Sequence, residues 1–192
     1  QVLFEHPLDK NEARQFIDWA NQHFPQVSIN LYSGKDWMTD HLDQWSREEA
    51  RITGEKPLIL PLLDPLLDMT KPLHKLLLIG EAEEIQALYR AISADDFPST
   101  AFYLSKANYL EVTAKHVSKE DALVELANHY HLSLEEVLTM GDNFNDLPML
   151  KKAGIGVAMG NAPQEVKDEA AVVTKDNNEN GAGQAVETYV LI

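Results

Sequence analysis

Asp142, Asn143, Asn145 and Asp146 fall within five residues, inside Thr139-Met140-Gly141-Asp142-Asn143-Phe144-Asn145-Asp146-Leu147-Pro148-Met149-Leu150. Oxygen ligands crowded where an apolar run ends suit a hard cation such as Mg²⁺. That ion takes one or two protein carboxylates and completes its shell with water and substrate phosphate. The ordinary role of Asp or Asn at such a place is to cap a helix, but one cap uses one such side chain. Four in this span exceed that need, and the excess favours a metal. Lys119 is the second candidate. A solvated lysine on the first turn of a helix is the bland reading, yet a cation there opposes the helix dipole and calls for an anionic partner. Carboxylates from a neighbouring strand end, together with a phosphate, would supply one.

These side chains need strands and helices to bring them together, and the patterning divides near residue 107. Residues 1–107 open on an apolar run, Val2-Leu3-Phe4, that reads as a strand. Asp9-x-x-Glu12 resembles a capping box, with Ala13, Phe16, Ile17, Ala20 and Phe24 at helical spacing and Pro25 as the stop. Val27, Ile29 and Leu31 alternate as a strand closed by Ser33-Gly34. Trp37-Met38 suggests a short strand, and Gln44 to Arg51 a polar helix. Prolines punctuate Leu58 to Met69, which therefore reads as a packed loop with extended pieces. A strand at Leu76–Ile79, a helix over Glu81–Ala94 and a strand at Ala101–Leu104 complete an α+β unit on one sheet.

Residues 108–192 are more regular. Strands are expected at Tyr109–Thr113, Val137–Met140, Ile155–Met159 and Val172–Val173. Helices are expected after Ser118, from Asn145 to Lys152, after Pro163, and from Gly181 to Val190. This is the β–α repetition of a parallel, doubly wound α/β sheet. Ligands of such sheets bind at the carboxyl ends of strands. Lys115–Lys119, Asp142–Asp146, Gly160-Asn161 and Asp176–Asn178 fall at such ends or at the adjacent helix starts.

Composition narrows the function. Hydrophobic residues make up 44% and the net charge is −15, an ordinary globular make-up that argues against nucleic-acid binding. No apolar run approaches the roughly 20 residues of a membrane span, no basic-then-apolar leader precedes the first helix, and there are no cysteines. The expectation is a cytoplasmic protein with no membrane or nucleic-acid partner. All four arginines (Arg14, Arg47, Arg51 and Arg90) lie in the first half, so a phosphate site in the second half needs a metal ion and a lysine.

Three segments carry a resemblance: Val112-Thr113-Ala114-Lys115-His116-Val117-Ser118-Lys119, Met140 to Leu150, and Ala153-Gly154-Ile155-Gly156-Val157-Ala158-Met159-Gly160-Asn161-Ala162. Their order and spacing resemble the last third of a haloacid-dehalogenase-superfamily phosphatase of the Cof type, and Asn180-Gly181-Ala182-Gly183 is similar too. The resemblance implies a Rossmann-like core half at 108–192 and an α/β cap at 1–107. It implies catalytic Lys119 neutralising the nucleophile and the transferring phosphoryl group, and Asp142 as Mg²⁺ ligand. Asp146 would hold metal-bound water or the lysine, and Asn145 would contact phosphate or support the metal shell. Glu120-Asp121 departs from the family, which often has Gly and a small polar residue there, and adds negative charge near the entrance.

The same resemblance implies an aspartate nucleophile in an Asp-x-Asp-x-Thr motif, and these residues contain none. Asp64-x-x-x-Asp68 has the wrong spacing and Asp95-Asp96 closes a helix. The expectation is therefore the C-terminal part of a longer Mg²⁺-dependent hydrolase. Its substrate would be a small phosphorylated metabolite, a sugar or cofactor phosphate, cleaved through an aspartyl-phosphate; the fragment alone would be inactive. The alternative is a non-catalytic domain that keeps the metal turn. The histidines, His129 and His131 included, read as surface residues. Trp19, Trp37 and Trp45 read as packing, with Leu62–Met69 as an apolar segment that could line the cap.

Overall fold

A computed structural model describes residues 2–191. The chain forms two compact units, Gln1–Val117 and Ser118–Ile192. No helix among the described residues is long and apolar enough to cross a membrane.

The first unit begins without the strand expected at Val2–Phe4; those residues are irregular and exposed. Helix α1 (Lys10–His23) starts where Asp9 accepts hydrogen bonds from the Asn11 and Glu12 amides, and it buries Ala13, Phe16, Ile17 and Ala20, a stripe of helical period. Glu12 does not reach back to close a capping box. It accepts from the Ser99 amide and from Thr100 Oγ1, at 3.1 and 2.6 Å, and so ties the helix start to a distant strand. Strands β1 (Ser28–Ser33) and β2 (Asp36–Thr39) form a hairpin with Ser33 opposite Asp36. Gly34 supplies the positive φ of 58° in its two-residue turn, as mirror-type hairpin turns require.

Next come α2 (Gln44–Thr53), β3 (Leu58–Ile59) and α3 (Leu63–Leu67). The proline-rich stretch is thus partly helical. Pro65 sits in the first turn of α3, where the missing N–H has no helical partner to lose. Leu62 and Leu66 anchor the segment in the core, while Leu67 and Met69 face solvent.

Strands β4 (Lys75–Ile79), β5 (Thr100–Lys106) and β6 (Tyr109–Ala114), with helix α4 (Ala82–Ala91) between the first two, complete a six-stranded sheet of order β3-β2-β1-β4-β6-β5. Its neighbours are antiparallel except the β2–β3 pair. Leu31, Leu76 and Val112 lie side by side across β1, β4 and β6. They pack with Phe16 and Ile17 of α1 and Ile85 and Leu88 of α4 in one core.

Tyr109–Thr113, read from the sequence as the first strand of the parallel region, lies in β6 and belongs to this antiparallel sheet through pairing with β4 and β5. The division therefore falls after Val117 and not after residue 107. On the other face, Trp45 of α2 packs on Leu77, Ile79 and Tyr109. Beside them Lys75 pairs with Glu111 at 3.1 Å and Tyr103 donates to Glu111 at 3.3 Å. Trp37 is buried and Trp19 packs against the core, so both act in packing.

The second unit contains α5 (Lys119–His129), β7 (Leu138–Gly141), α6 (Leu147–Lys152), β8 (Ile155–Ala158), α7 (Gln164–Glu169), β9 (Val172–Val173) and α8 (Gly181–Tyr189). The strands form a parallel sheet of order β7-β8-β9, so the chain is an α/β protein with a Rossmann-like half and an α+β unit. Leu150, Ala158, Ala162 and Val166 make the core that joins α6 and α7 to the sheet. His131 takes φ 57° just past α5, ending that helix.

Two measurements test the first unit. Truncating the fully buried Ile85 to Ala costs about 2–5 kcal/mol in urea unfolding, the usual range for a core cavity. Burial, then the charge of Glu111, pushes the Tyr103 phenol up to about 12. Because this folded value exceeds the ordinary 10.0, the stability it confers is complete below that pH and is lost as pH rises toward the folded value. Tyr103→Phe removes this alkaline component, seen as the loss of a late phase in phenolate absorbance.

Candidate active-site half

Lys119 opens α5 because Ser118 precedes it as N-cap. The Ser118 hydroxyl accepts from the Asp121 amide at 3.0 Å and donates to the Asp121 carboxylate at 2.7 Å. The backbone of β7 then delivers the acidic turn. After Gly141 the chain enters a 3₁₀ turn at Phe144–Asp146 that runs into α6, with Pro148 in its first turn.

Asp146 is only 2% exposed. Its Oδ2 accepts from the Asp142 and Asn143 amides at 2.9 and 3.1 Å, and its Oδ1 accepts from Lys119 Nζ. A buried carboxylate is tolerated only when paired and hydrogen-bonded, and three donors meet that condition here. Gly141 makes the arrangement possible: a Cβ there would stand 2.3 Å from the Asp146 Cβ.

Asp142 is exposed. Its Oδ2 accepts from Asn161 Nδ2 at 3.0 Å, and among the described residues no donor reaches its Oδ1. Asn143 turns its side chain onto the Phe144 amide at 2.8 Å, as a cap. Asn145 is exposed on the same turn, with no hydrogen bond from its side chain to another described residue.

The four residues proposed from sequence thus share one unit, but not one role. Lys119 and Asp146 meet directly, Asp142 stands beside them with a free oxygen, and Asn145 faces outward. Among the described residues no group of three or more His, Cys, Asp or Glu side chains is arranged to hold a metal. A cation such as Mg²⁺ does not require one, since it binds through one or two carboxylates with water filling the remainder. The donor set therefore fits Mg²⁺ through Asp142, whereas Asp146 is spent on the turn and the lysine.

Glu120 and Asp121 do not stand as free charge near an entrance. Lys152 Nζ pairs with Glu120 at 2.6 Å and Asp121 closes the Ser118 cap. The Lys115–Lys119 cluster also divides, with Lys115 and His116 in the first unit and Lys119 in the second.

Sequence reasoning placed Asn161 and Asp176–Asn178 at strand ends without giving them a role. The signal available was Gly160, whose lack of Cβ allows the 159–161 segment to lie against the 175–176 backbone; a Cβ there would be 2.6 Å from the Asp176 amide. A cleft of about 1010 Å³ lies wholly in the first unit. Two of its lysines are already engaged, Lys10 by the Pro65 and Asp68 carbonyls and Lys71 by Asp36.

A parallel α/β half, with a lysine at a helix start and carboxylates on the turn after a strand, defines a class. The chain belongs to the haloacid dehalogenase-like hydrolases, whose family model matches residues 1–186. Among its relatives, a provisionally named phosphatase of Haemophilus influenzae is 39% identical over 85% of this chain and 60% of that protein. The 5-amino-6-(5-phospho-D-ribitylamino)uracil phosphatase YcsE of Bacillus subtilis is 40% identical over 45% of this chain and 35% of that protein. The crystal structure of a haloacid dehalogenase-like hydrolase from Bacteroides thetaiotaomicron superposes with a TM-score of 0.85 at 29% identity, covering 98% of this chain and 70% of that one. The match thus spans 60% of the Haemophilus protein's length, short of two thirds.

The fit of Gly141 against Asp146 is testable by stability. Gly141→Ala forces the turn apart and lowers the unfolding free energy by about 1–3 kcal/mol, the range for overpacking, measured by chemical denaturation against wild type.

Proposed function

We propose that the chain carries the metal- and phosphate-supporting half of a Mg²⁺-dependent phosphatase acting on a small phosphomonoester. The observation that carries this reading is the Lys119 ammonium seated on the buried Asp146, beside an Asp142 carboxylate with one oxygen uncommitted. Lys119 offsets charge on the equatorial phosphoryl oxygens and on the nucleophile. Asp142 holds the cation, Asp146 aims the lysine, and the outward Asn145 amide donates to a phosphate oxygen. Bound Mg²⁺ supplies further positive charge to the transferring group.

The nucleophile in this proposal is an aspartate outside these 192 residues, which contain no Asp-x-Asp-x-Thr. Its carboxylate oxygen forms a bond to phosphorus as the ester oxygen leaves, and water then cleaves the aspartyl-phosphate. The first unit serves as the cap that selects the leaving group. The Bacillus relative named for a phosphoribitylamino-uracil substrate supports a sugar-like or cofactor-like phosphate. A cytoplasmic location belongs to the same proposal.

The test is hydrolysis of p-nitrophenyl phosphate with and without Mg²⁺. The 192-residue chain alone is expected to be inactive, and the full-length protein active only with the cation. In the full-length protein Lys119→Ala lowers kcat roughly 10²–10³-fold, the scale for losing one charge-stabilising donor, and Asp142→Ala abolishes the response to Mg²⁺. Robust turnover by the 192-residue chain would overturn the proposal.

A further inference from the structure

Asp142 does not take its direction from the acidic turn alone. Asn161, in the segment after β8, donates from Nδ2 to Asp142 Oδ2 at 3.0 Å, and its own Oδ1 accepts from the Asn177 amide at 3.2 Å. The two ends of a carboxamide are chemically distinct, one donating and one accepting. Reversing this amide would set its oxygen against a carboxylate and its NH₂ against an N–H, so only one orientation is satisfied. Backbone bonds hold the partners in reach: Met159 N–H to Gly141 C=O at 2.9 Å, and Gly160 N–H to Lys175 C=O at 3.0 Å.

We propose that Asn161 is a positioning residue for the cation, engaging one oxygen of Asp142 so that the other is presented, with the Asn177 N–H fixing the direction of the Asn161 amide. The role presupposes the cation-binding reading of Asp142. Mg²⁺ demands near-ideal octahedral geometry, so the direction of a lone carboxylate ligand governs affinity, and partners that orient metal ligands are typically worth about 10–100-fold in binding. Asn161 touches neither substrate nor cation; it acts through Asp142.

A merely structural tie between loops would leave cation affinity unchanged, and one variant separates the two roles. Asp176 has φ −61° and ψ 156°, already the conformation required before a proline. Asn177 is the first residue of the 3₁₀ turn at Asn177–Glu179, a position proline accepts. Asn177→Pro therefore deletes the N–H held by Asn161 and keeps the turn.

The experiment is a Mg²⁺ titration of the ¹⁵N-labelled 192-residue chain, followed at the Asp142 and Asn143 amide resonances. Wild type is expected to saturate and Asp142→Asn to lose the response. Asn161→Leu and Asn177→Pro are expected to saturate at about 10-fold higher Mg²⁺. If both bind as wild type does while Asp142→Asn does not, the positioning role is overturned and the cation site stands. If the wild-type amides show no saturable response, the cation reading of Asp142 fails, and the role of Asn161 with it.

Discussion

The second unit is organised around one buried carboxylate. Asp146 draws the amides of Asp142 and Asn143 onto one oxygen and the Lys119 ammonium onto the other, which fixes the shape of the turn and the reach of the lysine together. Left unpaired, such a group would be expelled to solvent or neutralised; with charge-assisted bonds it becomes a rigid fixture. The pair is asymmetric: the Asp146 side chain is 3% exposed and that of Lys119 51%. The acid is enclosed by the fold, while the ammonium keeps one side exposed to solvent. In a chain of net charge −15, a half-exposed lysine backed by a buried carboxylate is a local concentration of positive charge at the surface.

The first unit solves a different problem. Its sheet is covered on one face by α1 and α4 through Phe16, Ile17, Ile85 and Leu88. On the other face it is only partly covered, by Trp45 of α2 over Leu77, Ile79 and Tyr109. That face also carries satisfied polar groups: Lys75 with Glu111, Tyr103 with Glu111, and Tyr109 with Glu49 at 2.7 Å. Burial and these carboxylates hold the phenols of Tyr32, Tyr103 and Tyr109 above their ordinary range, and Tyr103 and Tyr109 donate to carboxylates as neutral phenols.

Much of this was legible in the sequence, because helix starts and the acidic turn announce themselves locally. Ser118, Asp9 and the Gly141–Asp146 run act within a few residues of their own position, which is where sequence patterns are read. Strand pairing is not local. Tyr109–Ala114 has the same alternation whichever sheet it joins, and only its pairing with Lys75–Ile79 and Thr100–Lys106 assigns it. The helix at Leu63–Leu67 was hidden because proline disfavours a helix interior but is tolerated in a first turn. Val2–Phe4 is apolar enough for a strand, yet among the described residues no strand pairs with it. The Asn161–Asp142 link was illegible for a further reason: its two residues sit after different strands, and only the β7–β8 register brings them together.

The two sheets also differ in how their strands follow one another along the chain. In the second unit each strand pairs with the next in sequence, β7 with β8 and β8 with β9. In the first, β1 must wait for β4, and β4 skips β5 to pair with β6. Pairings between distant segments carry a loop-closure cost before they return any stabilisation, and rates fall as such pairings dominate. The non-consecutive pairings that carry this cost lie in the first unit. The acidic turn of the second unit sits among pairings that are consecutive along the chain.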